Sequence, residues 1–210
     1  DGFGKDAQAQ AVEFMLATAA KRASGKSNVA VDTFSDASGR LAMRVALIND
    51  DMPFLVDSVA AALASANVAI ERLIHPVVDV ERDASGSLTS LSEKRGWTGK
   101  RESLIYVETA RVDAKERRAL ADSLAAVLED VRCAVTDWRK MQGAMSEDAD
   151  SLPEGEGAAL MRWFMDGAMT VLAHERIMGD GEREARLGLA RSSDTALLSE
   201  ESVVRARAFF

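Results

Sequence analysis

Three consecutive polar residues, Asn49, Asp50 and Asp51, form the stretch of this sequence that could most readily do chemistry. They follow an apolar run and precede a segment with helical spacing. The N-terminus of a helix offers free N–H groups and the positive end of its dipole, which suit a carboxylate. The acidic side chains suit an ammonium group, so the corner could hold an amino acid. The alternative is that Asp50 or Asp51 only caps the helix.

The predicted ligand site combines this acidic corner with the N–H groups of the first helical turn and one nearby histidine. Its residues are Asn49, Asp50, Asp51, Phe54, Leu55, Val56, Asp57 and His75. Oxygen ligands from Asp50, Asp51 and Asp57 would suit Mg²⁺ or Ca²⁺. However, Asp51 and Asp57 are more than one helical turn apart and no calcium-loop spacing occurs, so we predict no metal site.

No set of side chains indicates catalysis. His75 and His174 are far apart in the sequence, and a single strand histidine is more often structural than catalytic. The single cysteine, Cys133, cannot form a disulfide within the chain and suits a reducing cytoplasm. There is no nucleophile elbow, phosphate-binding loop or dinucleotide fingerprint. We therefore predict a binding or regulatory module without catalytic residues.

Composition excludes several kinds of partner. The 210 residues carry a net charge of −8, and no basic stripe is present that could neutralise phosphates. We therefore expect neither nucleic acid nor an acidic membrane surface as a partner. No apolar run reaches the roughly 18 residues of a membrane span. The first residues lack a signal peptide, and the chain begins without Met, so we expect a piece of a longer protein.

Hydrophobic periodicity predicts an α+β fold in the first two thirds of the chain. A helix over 6–22 precedes two alternating strands that form a hairpin. Strand, helix, strand, strand and helix then follow, which favours a ferredoxin-like two-layer sandwich with helices on one face. The predicted elements are strands 28–34 and 40–48, helix 52–66 with Pro53 in its first turn, strand 68–83 interrupted at Pro76, loop 84–100, strand 101–111 and a long helix over 113–145.

The segment 146–157 is acidic, contains Pro and Gly, and is poor in apolar residues, which is typical of a linker. Beyond it the pattern predicts a helix over 156–167 and strands over 168–179 and 185–192. The sequence thus predicts an N-terminal helix within 1–27, a main domain over 28–147, and a linker with the start of a second α+β module over 148–210.

Several motifs resemble one known family. "INDDMPFLVDSV" is followed by His75-Pro76, by an R-x-x-x-G turn from Arg82 to Gly86, and by the pair Glu102-Ser103. In combination these motifs are similar to the N-terminal region of the large bacterial NAD-specific glutamate dehydrogenases. The later segment "ALMRWFMDGAMTVLAHERI" also resembles that family but departs from it at Ala173, His174 and Ile177.

The resemblance implies an ACT-type domain followed by a PAS-like module, both regulatory or assembly-forming. The parent enzyme would convert L-glutamate, NAD⁺ and water to 2-oxoglutarate, ammonium and NADH. NAD would bind in a catalytic domain outside this chain, so the fragment itself is expected to need no cofactor and to be inactive. Its expected partners are the other subunits and domains of a homo-oligomer and an amino-acid effector. The alternative is an oligomerisation module without a ligand.

Overall fold

An antiparallel sheet organises the first part of the chain in the computed structural model, which describes residues 3–36, 38–92, 100–178, 181–192 and 198–209. The hydrogen-bonded order is β1-β2-β6-β4-β5, and β3 also pairs with β6. Every pairing is antiparallel, as predicted. The strands are β1 (Asn28–Ser35), β2 (Leu41–Asp50), β3 (Ile70–Ile74), β4 (Val77–Arg82), β5 (Leu88–Ser92) and β6 (Lys100–Ala110).

The three larger helices are α1 (Lys5–Ala19), α2 (Leu55–Ser65) and α3 (Ala114–Ser151). The chain divides into two compact units, Asp1–Glu129 (unit 1) and Asp130–Phe210 (unit 2). The division lies inside α3 and not at the predicted boundary after residue 147. The acidic composition of 146–151 suggested a linker, but these residues continue the helix, and Met141 and Met145 of α3 belong to the core of unit 2.

Helices cover both faces of the sheet in unit 1, whereas the sequence predicted helices on one face. Buried residues of α1 pack against alternate residues of β2 and β6, because side chains of a strand point to opposite faces in turn. This core includes Met15, Ile48, Leu104 and Tyr106. The predicted N-terminal helix is therefore a third layer of the sandwich.

The other face of the sheet is as completely buried. Arg117 of α3 donates a hydrogen bond to Thr33 of β1 at 2.7 Å, which places the start of α3 on this face. Met43, Val45 and Leu47 of β2 and Ile105 and Val107 of β6 point to this side and are buried, and the helices contribute the buried residues Leu55, Val59 and Leu63 of α2 and Leu120, Leu124 and Leu128 of α3.

Residues 40–129 follow the predicted strand, helix, strand, strand and helix order, with some local differences. The long strand predicted over 68–83 is divided into β3 and β4 at His75-Pro76, since proline cannot donate to a ladder. Helix α2 begins at Leu55, so Pro53 lies in the preceding turn and not in the first helical turn. The predicted loop over 84–100 contains β5, and its residues 93–99 lie outside the described part of the chain.

Unit 2 contains the second half of α3 and a small antiparallel pair of strands. Its core joins Met141 and Met145 of α3 to Val171, with Met161 and Phe164 packed against them. After α4 the backbone departs from helical geometry at Asp166, with a ψ of +18°, and at Gly167, with a φ of +93°. The remaining elements are α4 (Glu156–Trp163), β7 (Ala173–Ile177), β8 (Arg183–Gly188), α5 (Leu189–Ser192) and α6 (Glu200–Phe209). Among the helices of the described ranges, none has the length and apolar character that a membrane crossing needs.

Gly86 allows the chain after α1 to pair with the turn before β5. Arg22 N donates to Gly86 O at 2.9 Å, and Leu88 N donates to Ala20 O at 2.9 Å. Gly86 has a φ of +84°, and a Cβ at this position would lie 2.4 Å from Arg22 O. Only glycine can therefore occupy this position without moving one of the two backbones.

Replacing Gly86 by Ala should destabilise unit 1 more than the same change at Gly39. Gly39 has a similar φ of +81°, but a Cβ there meets nothing within 4 Å. Gly39→Ala should cost about 1 kcal/mol for the left-handed backbone alone. Gly86→Ala should cost about 2 kcal/mol beyond that, because the backbones must separate. Urea unfolding followed by circular dichroism measures both, and equal losses would contradict the close approach.

Candidate functional site

Four charged residues meet where β2 ends and the antiparallel β6 begins, and we call Arg22, Asp50, Arg82 and Glu102 the strand-end cluster. Asp50 is the last residue of β2 and pairs in register with Glu102 of β6. The alternation along both strands directs these two carboxylates to the face covered by α1. Arg22 follows α1 and Arg82 is the last residue of β4.

Glu102 is the central member of the strand-end cluster and is 1% exposed. Arg22 donates to its Oε1 at 2.6 Å from Nη2. Arg82 donates to both of its oxygens, at 2.7 Å from Nε and 2.8 Å from Nη2. Burial opposes ionisation of this carboxyl, but the hydrogen bonds from Arg82 and Arg22 outweigh it and lower the pKa of Glu102 below its usual range.

The two arginines also bind main-chain carbonyls and so join separate elements. Arg22 donates to Lys26 O at 2.6 Å and to Asp50 Oδ1 at 2.6 Å. Arg82 donates to Ala19 O at 2.8 Å and to Gly86 O at 2.9 Å. The end of α1, the turn before β5 and the ends of β2 and β6 are thereby held together, and two positive charges balance two negative ones.

An open cavity of about 600 Å³ lies beside the strand-end cluster. Its volume is in the range of small-molecule sites. The wall carries charges of both signs, with Lys100 and Asp83 in addition to the strand-end cluster, and the hydroxyl groups of Ser85 and Thr89. Such a wall can accommodate a small zwitterion that presents an ammonium group and a carboxylate.

The alternation of β2 separates the predicted corner residues. Asn49 is buried on the opposite face from Asp50, where it pairs in register with Ser103. Asp51 accepts a hydrogen bond from Ser103 Oγ at 3.0 Å, and its other oxygen lies 3.4 Å from Arg101 Nη1. Of the predicted ligand residues, Asp50 is the one that lines the cavity.

The other predicted residues lie around the start of α2 or in the β3–β4 connection. Leu55 is buried, Val56 half-buried and Asp57 exposed. His75 is exposed between β3 and β4. The N-cap position of α2 is Phe54, whose side chain makes no capping bond, so the alternative that Asp50 or Asp51 caps this helix is wrong. The role of these residues in ligand binding stays a prediction.

Within the residues that the structure describes, no group of three or more His, Cys, Asp or Glu side chains is arranged to hold a metal ion.

The sequence analysis did not predict Arg22, Arg82 or Glu102 as site residues. The signal was present for two of them, since Arg82 opens the R-x-x-x-G motif and Glu102 the E-S pair. Arg22 belongs to none of the quoted motifs, and only the fold brings it to Glu102.

Comparison with known proteins agrees with this architecture. A family model described as glutamate dehydrogenase, ACT1 domain, matches residues 4–124. The chain belongs to this family. The matched residues include α1, the whole sheet and the beginning of α3, so the N-terminal helix is part of the ACT1 domain. The ACT-type α+β fold expected from the sequence motifs is thereby confirmed.

Two curated relatives carry the name NAD-specific glutamate dehydrogenase. The protein of Pseudomonas aeruginosa is 33% identical over 172 residues, which cover 70% of this chain and 10% of the relative. The protein of Halomonas elongata is 29% identical over 145 residues, which cover 62% of this chain and 9% of the relative. The chain thus spans about a tenth of the length of these relatives.

Phe54 offers a test of the strand-to-helix corner of the ACT1 domain. Its φ is +71°, and its side chain is 49% exposed. Phe54→Gly should raise the free energy of unfolding by about 1 kcal/mol, because glycine adopts this backbone conformation without the steric cost. Phe54→Ala also removes the ring but keeps the Cβ, so it should bring no such gain. Urea midpoints of the two variants compare them directly, and a gain with Ala would refute the backbone explanation.

Glu102 should make the stability of the ACT1 domain depend on pH in acid. Its lowered pKa means that its stabilising contribution is complete above the ordinary value of 4.5 and is lost as pH falls below it. Glu102→Gln should cost about 3 kcal/mol at pH 7, because Arg82 loses its carboxylate partner and the buried Arg22 keeps only Asp50. The difference from the unmodified chain should shrink towards pH 3. Urea titrations at both pH values, with Glu13→Gln as an exposed control, test this, and a constant difference would contradict it.

Proposed function

We propose that the chain is a non-catalytic regulatory and assembly part near the N-terminus of an NAD-dependent glutamate dehydrogenase. The parent would convert L-glutamate, NAD⁺ and water to 2-oxoglutarate, ammonium and NADH in the cytoplasm, with NAD bound outside this chain. The observation that carries the proposal is the ACT1 family match over residues 4–124. The names of the two relatives support the reaction assigned to the parent.

The regulatory role would consist of sensing an amino acid at the cavity beside the strand-end cluster. Asp50 is 30% exposed in its side chain and can face an ammonium group, while Lys100 on the same cavity wall can face a carboxylate. Binding would regulate the enzyme only if the effector has different affinities for two states of the oligomer. Of the ligand residues predicted from the sequence, the proposed site contains Asp50. Its other contacts with the effector would come from residues of the cavity wall.

The alternative is a structural module that forms contacts between subunits and binds no ligand. One observation favours it. The charges of Arg22, Arg82, Asp50 and Glu102 already compensate each other through the hydrogen bonds of the strand-end cluster. Such a cluster can serve the fold alone, as an internally satisfied polar network does in many proteins. In both proposals the partners are other subunits and domains of the parent homo-oligomer, and unit 2 is the start of a PAS-like module.

A titration of the chain with single amino acids distinguishes sensing from a structural role. A bound effector should raise the thermal midpoint by mass action, since a ligand at a hundred times its Kd stabilises by about 2.7 kcal/mol. Asp50→Asn should abolish the rise, and Asp57→Asn, an exposed residue of α2 that does not line the cavity, should leave it unchanged. No rise at millimolar concentrations of any amino acid would rule out sensing by this chain. A separate incubation with glutamate and NAD⁺ should form no NADH.

A further inference from the structure

Unit 2 carries a row of large apolar side chains on its surface, and we call Leu152, Leu160 and Trp163 the α4 strip. They are 42%, 50% and 58% exposed. Leu160 and Trp163 are three residues apart on α4 and so lie on one side of the helix. A Cβ at Gly157 would lie 3.9 Å from Leu152 Cδ1, which places Leu152 beside the same side of α4.

The core of unit 2 does not use this side of α4. Met161, Phe164 and Met165 pack against the core formed by Met141, Met145 and Val171, and Ala158 of α4 is also buried. Leu160 and Trp163 are not part of this core, and about half of each side chain stays exposed, although the Trp163 ring lies 5.4 Å from the ring of Phe164. A row of large apolar side chains that remains exposed is typical of a surface that contacts another protein segment, and tryptophan is among the residues enriched at the centre of such contacts.

Carboxylates border the α4 strip. Asp150, Glu154 and Glu156 are exposed, and the segment 147–156 contains acidic residues but no lysine or arginine. Arg162 donates to Asp150 at 3.0 Å, and Arg176 donates to Asp148 at 2.6 Å. Two copies of the chain that met through this surface would bring acidic borders together, and like charges in a contact are unfavourable. A partner with basic residues around an apolar centre is complementary to it.

We propose that the α4 strip is the docking site for a basic, amphipathic segment elsewhere in the parent polypeptide. This rests on the proposed function, in which the chain is one part of a larger enzyme. The relatives are about ten times longer than the chain, so most of such a polypeptide lies outside it. A segment tethered in the same polypeptide reaches a high effective concentration at the strip, and a modest apolar contact with a charged border then suffices.

The test is oxidative labelling of Trp163 in the intact parent enzyme, measured by mass spectrometry. Glu154→Lys with Glu156→Lys reverses the acidic border, and Glu200→Lys with Glu201→Lys is the control in α6, where both acids are also exposed. The unmodified enzyme and the control should label at Trp163 about fivefold more slowly than the border variant, because a docked segment excludes solvent from the strip. Formation of NADH from glutamate and NAD⁺ is measured in the same samples as a separate test of the proposed function of the parent enzyme.

Three results would overturn the docking site. Fast labelling of Trp163 in the unmodified enzyme, at the rate of the border variant, means that nothing covers the strip. Slow labelling that persists in the border variant means that the covering segment is not held by basic residues. Labelling that speeds up on dilution means that a second copy covers the strip. Each of these in an enzyme that forms NADH refutes the docking site alone, whereas a parent that forms none refutes the proposed function.

Discussion

Glu102 is a carboxylate that unit 1 buries almost completely and keeps ionised, and this requires cations on more than one side. A single arginine would leave part of its hydrogen-bonding capacity unused, so Arg22 and Arg82 both bind it. Since the two arginines come from the segment after α1 and from β4, the carboxylate determines how these elements meet the beginning of β6. The geometry of this part of the domain therefore depends on one buried charge and on its two partners.

The same requirement explains why separate sequence motifs belong together. Arg82 and Gly86 form the R-x-x-x-G turn, and Gly86 accepts hydrogen bonds from both Arg82 and the backbone of Arg22. Glu102 binds the arginines on one face of the sheet, while its neighbour Ser103 binds Asp51 on the other. Asp50 accepts a hydrogen bond from Arg22 on the same face of the sheet as Glu102. Motifs that are distant in the sequence thus meet at the paired ends of β2 and β6.

The two units present different surfaces for a regulatory and assembly part. Unit 1 has a three-layer sandwich whose charges are largely paired beside an open cavity, which suits the binding of a small polar molecule. Unit 2 has a small core and leaves leucine and tryptophan side chains exposed beside carboxylates, which suits contact with another polypeptide segment. Ligand binding and assembly would in this arrangement use separate surfaces, and the long helix α3 contributes residues to both units.

The sequence by itself determined the local elements, because these depend on neighbours a few residues away. Alternation identified β1, β2 and β6, helical spacing identified α1, α2 and α3, and Pro76 marked the interruption between β3 and β4. The motifs also identified the family, since they are properties of the residues themselves. The acidic corner was correctly found at the junction of a strand and a helix, and its Asp50 lies at the cavity.

The tertiary structure decided which of these residues meet. Asn49 and Asp50 are adjacent in sequence but lie on opposite faces of the sheet, and Arg22 reaches Glu102 across 80 positions of the chain. Packing between distant segments also decides three other features. These are the position of α1 on the second face of the sheet, the division of the chain inside α3, and the exposure of Trp163. Periodicity records which side of an element is apolar, but it carries no information about which partner covers that side, and so the strand-end cluster could only be found in the folded chain.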